Sequence, residues 1–231
     1  MGKYRPPPLF TLEWVCPALK RMRSFSLSDF DFELPPELVA QHPATERSGS
    51  RLLDGTAPAP VDRIFRELPG LLRAGDLLVF NDTKVVKARL FGEKTSGGKV
   101  ELLVERVLPG NQVAAHMRVS KKPEPGATIN LVGGDGFRAT LLGRWPDADG
   151  QLFRFVLSND AGDDPYTLME RHGHVPLPPY ITHTDSAEDA ARYQTVFARA
   201  PGAVAAPTAA LHFDEALLAT LDAQGVQRAS V

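Results

Sequence analysis

The sequence is poor in cysteine, and this limits the chemistry that it can carry. Cys16 is the only cysteine among 231 residues. No disulfide can therefore form within the chain, and no cysteine cluster can hold a metal. This usage is typical of proteins in a reducing compartment, so we expect a cytoplasmic protein. Apolar runs are also short, and none reaches the eighteen or so residues that a membrane-spanning helix needs.

Two common catalytic motifs are missing as well. The glycine pairs Gly97-Gly98 and Gly133-Gly134 lack the Lys-Ser/Thr ending of a P-loop and the spacing of a dinucleotide-binding loop, so they predict hairpin turns. There is no Gly-x-Ser-x-Gly element, which leaves a hydrolase of the nucleophile-elbow type without support.

The histidines do not predict a metal centre. His172, His174 and His183 have no acidic or cysteine partner at a fixed ligand spacing, so we expect no metal. His212 is different, because it lies just before a predicted helix and close to Thr208 in sequence. An imidazole there titrates near neutral pH and suits proton transfer, although a histidine that only bonds to backbone fits the residues equally well.

Charge is unevenly distributed although the net charge is only −2. The segment from Lys84 to Pro125 has nine Lys or Arg and four Glu, whereas Asp147 to Asp189 has nine acids and two Arg. A basic segment beside an acidic one is typical of a local phosphate-binding face, and it also fits two ordinary solvated surfaces. Lys121 and Lys122 form the densest basic cluster.

The apolar pattern predicts an α/β fold with an antiparallel β-barrel inserted in it. Leu77–Phe80 is a short apolar run typical of a buried strand, and Asn81, Asp82 and Thr83 follow at its carboxyl end. Short strands separated by glycine-containing turns then indicate a small barrel. They are predicted at Val85–Phe91, Val100–Val107, Val113–Val119, Ala127–Leu131, Phe137–Leu142 and Leu152–Leu157.

Three regions follow from this pattern. We expect a disordered extension at 1–21, a discontinuous α/β domain at 22–84 and 158–231, and the barrel at 85–157. Helices are predicted from Asp163 to Arg171 and after Asp214, which is placed to cap the final helix.

The most unusual stretch is Arg192–Phe213, RYQTVFARAPGAVAAPTAALHF. Its alanines, with a stiff Pro207-Thr208 corner, lead into the final helix. Small residues let backbone approach a ligand closely, and a helix N-terminus favours an anion. Tight packing against a neighbouring element explains the same alanines.

This stretch resembles the S-adenosylmethionine:tRNA ribosyltransferase-isomerases of queuosine biosynthesis. PLPPYI at Pro176–Ile181, FDFELPPELVAQHPATERSGSRLL at Phe30–Leu53 and GDLLVFNDTKVVKARLFGEKTSGGKVELLVER at Gly75–Arg106 are similar to further blocks of that family, in the same order. The resemblance covers the chain from about Met22. It implies the fold predicted above, a barrel inserted in an α/β domain.

The resemblance also implies a reaction and its partners. Ribose from S-adenosylmethionine, a donor substrate, is transferred to aminomethyl-deazaguanine at the tRNA wobble position and rearranged to epoxyqueuosine. We expect His212 and Thr208 to be catalytic, and Asn81, Asp82, Thr83, Pro207 and Thr208 to bind the nucleoside. We expect Arg89, Lys121, Lys122, Tyr180, Tyr193 and Gln194 to contact tRNA, and the protein to be a monomer.

Two departures from the family keep an alternative open. Ala210 stands where the family has glycine, and family members continue beyond the position of Val231. A relative that binds tRNA or S-adenosylmethionine without turnover would fit both departures, and exposed apolar surface is then expected where the further segment docks. A barrel-based interaction module is the third possibility.

Overall fold

The structure is a computed structural model that describes residues 24–231; the extension predicted at 1–21 lies outside these residues. The chain divides into two compact units, Met1–Val39 and Ala40–Val231. The described part of the first unit contains two 3-10 helices, Leu27–Phe30 and Pro36–Leu38. The backbone N–H of Ser26 donates to Asp29 at 2.7 Å, which caps the first of them.

A closed six-stranded antiparallel barrel forms the centre of the second unit. Its strands follow the order β10-β7-β6-β5-β8-β9 around the barrel. In chain order they are β5 (Arg89–Lys94), β6 (Lys99–Leu108), β7 (Gln112–Val119), β8 (Thr128–Leu131), β9 (Arg138–Trp145) and β10 (Leu152–Ser158). The predicted barrel is confirmed. The domain boundaries predicted from the sequence stay a prediction.

Alternating side chains fill the barrel. In β6, Val100, Leu102 and Val104 are almost completely buried, while the residues between them are partly exposed. Phe155 and Leu157 from β10 meet them in the same core. This period of two is what a strand with one buried face requires. Gly92 in β5 must be glycine, because a Cβ there would lie 2.5 Å from the Asn130 carbonyl oxygen.

The first strand predicted for the barrel, Val85–Phe91, is wrong in its bounds. The chain forms β4 (Thr83–Val85), turns at Val86–Ala88, and then begins β5. β4 pairs in parallel with β11 (Ala200–Ala203), outside the barrel. The pairing with a distant strand therefore divides a segment that the sequence pattern predicts as one strand.

Three small sheets lie outside the barrel. Besides the β4–β11 pair, β3 (Leu77–Phe80) pairs in parallel with β12 (Gln227–Ser230), and β1 (Arg51–Asp54) pairs antiparallel with β2 (Val61–Ile64). A 3-10 helix, Phe65–Leu71, follows β2. Leu77 and Val79 of β3 remain 56% and 59% exposed, so this sheet presents an apolar surface.

A side chain caps the first turn of each of the three α-helices in residues 24–231. α1 (Pro165–His172) is capped by Asp164, which accepts from the backbone of Tyr166 and Thr167. α2 (Ala187–Arg192) is capped by Ser186, and α3 (Glu215–Ala223) by Asp214. Leu217, Leu218 and Leu221 pack α3 onto Phe80 and Phe213. Within residues 24–231, no helix is long and apolar enough to cross a bilayer.

Candidate active site

A cavity of about 620 Å³ is formed by three segments that are distant in sequence. They are residues 40–51, residues 177–193 and the 3-10 helix Thr208–His212. Its polar and aromatic lining side chains include Gln41, His42, Arg47, Tyr180, His183, Asp189, Arg192, Tyr193, Thr208 and His212. Four residues predicted to be functional, Tyr180, Tyr193, Thr208 and His212, therefore share one cavity.

His212 is held in a defined tautomer. Its Nδ1 lies 3.1 Å from the carbonyl oxygen of Ala209, three residues earlier in the same 3-10 helix. A carbonyl only accepts, so Nδ1 carries the proton and Nε2 of the neutral ring keeps its lone pair. The ring also packs at 5.2 Å from that of Phe65. The imidazole is thus oriented with a basic nitrogen available.

The two tyrosines differ in exposure. Tyr180 is 55% exposed, whereas Tyr193 is partly buried. Burial raises the pKa of the Tyr193 phenol, with a smaller opposing effect from its hydrogen bond to the Ala206 backbone. Tyr193 is therefore a neutral ring with a fixed hydroxyl, and Tyr180 presents a face that a planar ligand can reach.

Two arginines hold the cavity wall together reciprocally. The Arg47 guanidinium donates to the carbonyls of Ala191, Arg192 and Leu211 at 3.0, 3.3 and 3.1 Å. In return, Arg192 donates to the carbonyls of Ala44 and Thr45 at 2.6 and 2.9 Å. Burial, and then the neighbouring positive charge, lower the pKa of Arg47. The pair joins α2 to the segment before β1 and to the helix that carries His212.

Gln41 and His183 join the first two segments of the cavity. The Gln41 amide donates to the Tyr180 carbonyl at 3.0 Å and accepts from the Thr182 backbone at 2.9 Å. His183 lies 2.9 Å from the Gln41 carbonyl through Nε2 and 3.0 Å from the Thr184 carbonyl through Nδ1. These two carbonyls raise the pKa of His183, because both ring nitrogens must donate. Its ring stacks on that of His42 at 4.8 Å.

Several predicted residues lie away from this cavity. The Asn81 Oδ1 accepts from the Thr83 backbone at 2.9 Å, and the Asp82 carbonyl accepts from the Arg199 backbone at 2.7 Å. Gln194 uses both ends of its amide on Val85, at 2.9 and 3.1 Å. Pro207 precedes Thr208 at the start of the 3-10 helix and does not line the cavity.

The predicted tRNA contacts are divided between interior and surface. The Arg89 guanidinium donates to the Leu177 carbonyl at 3.2 Å. Its Nε lies 3.3 Å from the Glu101 carboxylate but is buried without a hydrogen-bond partner among residues 24–231, so the guanidinium is only partly satisfied within the protein. Lys121 and Lys122 are exposed and follow β7. These roles stay predictions.

The N-terminus of α3 is already occupied by protein groups. Asp214 accepts from the Leu217 backbone at 2.8 Å. The Ser48 hydroxyl, more than any other group, lowers the pKa of Asp214. A carboxylate in this position satisfies the helix dipole, so the feature predicted to attract a ligand anion is satisfied internally. Among residues 24–231, no group of three or more His, Cys, Asp or Glu side chains is arranged to hold a metal.

The sequence did not indicate the residues that complete the cavity. Gln41, Arg47 and His183 were not predicted as its walls, because their partners lie about 140 or more residues away in sequence. Asp189 was missed for another reason: it looks like an ordinary capping residue, and it does accept from Ser186 at 2.7 Å while also lining the cavity. Gln41 and Arg47 lie within the family-like block Phe30–Leu53, but the resemblance gave them no role in the site.

Comparison with known proteins gives a consistent family. The chain is similar to the S-adenosylmethionine:tRNA ribosyltransferase-isomerase of Dechloromonas aromatica, with 54% identity over 206 residues, 89% of this chain and 57% of the relative. The enzyme of that name from Burkholderia pseudomallei is 55% identical over 212 residues, again 89% of this chain and 56% of the relative. The chain thus spans a little over half the length of these curated relatives.

A solved structure is also similar in sequence. It is the S-adenosylmethionine tRNA ribosyltransferase from Thermotoga maritima, 30% identical, covering 88% of this chain and 57% of the other. The TM-score of 0.34 is too low for the two sites to be compared in space. The family model described as queuosine biosynthesis protein matches residues 27–231, and the chain belongs to this family.

Proposed function

We propose that this protein transfers and isomerises the ribosyl group of S-adenosylmethionine onto aminomethyl-deazaguanine in tRNA, giving epoxyqueuosine. The observation that carries the proposal is the cavity that His212 and Thr208 share with Tyr180 and Tyr193. Family membership makes this reaction the expected one, and the cavity supplies a base, hydroxyls and rings in one place.

The cavity suits S-adenosylmethionine in size and chemistry. Its volume of about 620 Å³ lies within the range of small-molecule sites. Tyr180 and Tyr193, which the resemblance assigns to tRNA, offer ring faces on which a base of the tRNA or the adenine can stack. Arg47 and Arg192 put positive charge in the wall, where the carboxylate of the methionine part would be stabilised. The Asp189 carboxylate in the same wall favours the positive sulfonium.

His212 is proposed to handle the proton. The sulfonium acidifies the protons on the adjacent ribose carbon, so a base of moderate strength is sufficient. Nε2 of His212 is such a base, because the Ala209 carbonyl fixes the proton on Nδ1. Thr208, at the start of the same 3-10 helix, would place a hydroxyl beside the reacting ribose. Adenine and methionine then leave.

The other predicted contacts complete the proposal. The ribose or adenine is also proposed to contact Asn81, Asp82, Thr83 and Pro207. None of these four residues lines the cavity. On the RNA side, Lys121 and Lys122 are proposed to contact phosphate, because both are exposed ammonium groups on the barrel. Arg89 and Gln194 are proposed to act beside them, although Arg89 already donates to the Leu177 carbonyl and Gln194 already bonds to Val85 through both ends of its amide.

Adenine release tests the proposal directly. The protein is mixed with S-adenosylmethionine and tRNA that carries the precursor base, and free adenine and modified tRNA are quantified. We expect His212→Ala to lower turnover by about 10²–10⁴-fold, the usual contribution of a general base, with unchanged affinity for S-adenosylmethionine. Added imidazole should restore part of the rate, since it supplies the missing base.

His212→Asn is the matched control. Its amide can still donate to the Ala209 carbonyl but provides no basic nitrogen, so it should be as slow as the alanine variant. If His212→Asn retains full turnover, the imidazole is not the base. If the unaltered chain binds S-adenosylmethionine and tRNA but releases no adenine, the proposed reaction is wrong for this chain, and the binding protein without turnover is the correct description.

A further inference from the structure

A second cavity lies on the outside of the barrel, where the barrel meets α1 and β11. Its volume is about 490 Å³. It is lined by the last part of β6, by Trp145 at the end of β9, by Tyr166 in α1 and by Gly202 in β11. It shares no lining residue with the cavity around His212.

Arginine and tryptophan are the central pair of this cavity. The Arg106 guanidinium carbon lies 5.6 Å from the centre of the Trp145 ring. Arg106 is exposed, and no carboxylate within the described residues 24–231 forms an ion pair with it. A guanidinium without a counter-ion, held over an aromatic ring, is available to an anionic ligand that also carries a planar group.

A second arginine lies on the same outer surface. The strand register places Arg106 opposite Ala114, and Ala114 opposite Arg154. Residues paired in this way point to the same face of a sheet. The two arginines therefore flank a small residue at about 10 Å, twice the distance between neighbouring strands. Arg154 is exposed as well. It does not line the cavity, but it adds a second positive charge to the outer surface that carries Arg106.

The cavity is also lined by an aromatic ring and a carboxylate, those of Tyr166 and Glu105. Tyr166 is 39% exposed, and its hydroxyl lies beside Gly202, where an added Cβ would be 3.9 Å away. The Glu105 carboxylate also lines the cavity and lies 2.9 Å from His116. A carboxylate repels phosphate but accepts from an exocyclic amine. A phosphate is thus favoured beside the two arginines, and a base in the cavity.

We propose that this cavity binds a nucleotide of single-stranded RNA, with the base against Trp145 and Tyr166 and the phosphate on Arg106 and Arg154. Aromatic rings beside guanidinium groups are the usual means of holding unpaired bases. The inference rests on the proposed function in one respect: the RNA is taken to be an unpaired part of the tRNA substrate. It adds a contact some distance from the site of ribosyl transfer.

Trp145 makes the site directly observable. The chain has two tryptophans, and Trp14 lies outside the described residues. In a Trp14→Phe background, Trp145 is the only indole. We expect a single-stranded cytidine hexamer, whose bases carry the exocyclic amine that Glu105 would accept from, and the tRNA to quench its fluorescence with saturation. Duplex RNA of equal length should quench it little.

Two variants and a control locate the effect. Tyr166→Ala and Arg106→Met should each weaken hexamer binding by about five-fold or more, the lower range for a stacked base. Arg106→Met should also reduce the salt dependence of the logarithm of affinity by about one. Arg138→Met is the control, because Arg138 is at the opposite end of β9, about 23 Å from Trp145 at 3.3 Å per residue, and is paired with Asp160.

The outcomes separate this inference from the proposed function. If neither the hexamer nor the tRNA gives saturable quenching, or if Arg138→Met weakens binding as much as Arg106→Met, the proposed RNA site is wrong. If binding follows the expected pattern but no adenine is released, the site stands and the reaction fails. If adenine is released and both site variants keep the KM for tRNA of the unaltered chain, the reaction stands and the site fails.

Discussion

Removing the Arg47 side chain should loosen the wall of the His212 cavity. The guanidinium joins α2 to the 3-10 helix through the carbonyls of Ala191, Arg192 and Leu211. Two of these contacts are partly buried and one is exposed. A hydrogen bond with a charged partner contributes about 1.5–3 kcal/mol when buried and less at the surface. The carbonyls regain water in Arg47→Met, so we expect a net loss of about 2–3 kcal/mol.

Thermal unfolding by circular dichroism measures this loss. For a chain of this size, 1 kcal/mol shifts Tm by about 2–4 °C, so Arg47→Met should melt about 4–12 °C lower. Arg47→Lys should recover little, because a compact ammonium does not reach three carbonyls at once. Because the helix that carries His212 is one of the joined elements, the affinity for S-adenosylmethionine, the proposed substrate, should also fall.

Arg51→Met is the control for charge and length in the melting measurement alone, since Arg51 also lines the cavity. Arg51 pairs with Asp62, and the two side chains are 83% and 71% exposed, so the change should cost less than about 1 kcal/mol. If Arg47→Met melts within 2 °C of Arg51→Met, by the same conversion, the reciprocal arginine arrangement does not stabilise this wall.

Two titrations provide further predictions. Hydrogen bonds, first from the Thr56 hydroxyl and backbone and then from Arg63, lower the pKa of Asp54 from 3.8 to about 2. The contribution of Asp54 to stability is therefore present above pH 3.8 and lost as the pH falls toward 2. An Asp54 titration midpoint near 3.8, measured by NMR, would contradict these contacts. The carbonyls of Thr184 and Gln41 raise the pKa of His183 above 6.5, so its contribution is complete below pH 6.5 and is lost as the pH rises through the higher folded value. A His183 ring that titrates at 6.5 or below would show that the contact with Gln41 is not made by an imidazolium.

The barrel was predictable because its signal is local. Val100, Leu102 and Val104 alternate with exposed positions, and glycine turns separate the strands. The sequence therefore gives β6 to within one residue at each end. β12 has no such signal, because all four of its residues are exposed. It exists as a strand only through its pairing with β3, about 150 positions earlier in the chain, and local pattern carries no information about that partner.

The candidate site also combines one feature set by local sequence with others set by long-range contacts. The tautomer of His212 depends on a carbonyl three residues away, so the short segment Thr208–His212 sets by itself which nitrogen is basic. The cavity around that nitrogen depends on Arg47 and Gln41, whose contacts cross most of the chain. A substitution of His212 should therefore change chemistry without changing binding, whereas one at Arg47 should change binding and stability together. The local sequence sets the tautomer of His212, whereas the cavity around its ring forms only when distant segments of the fold come together.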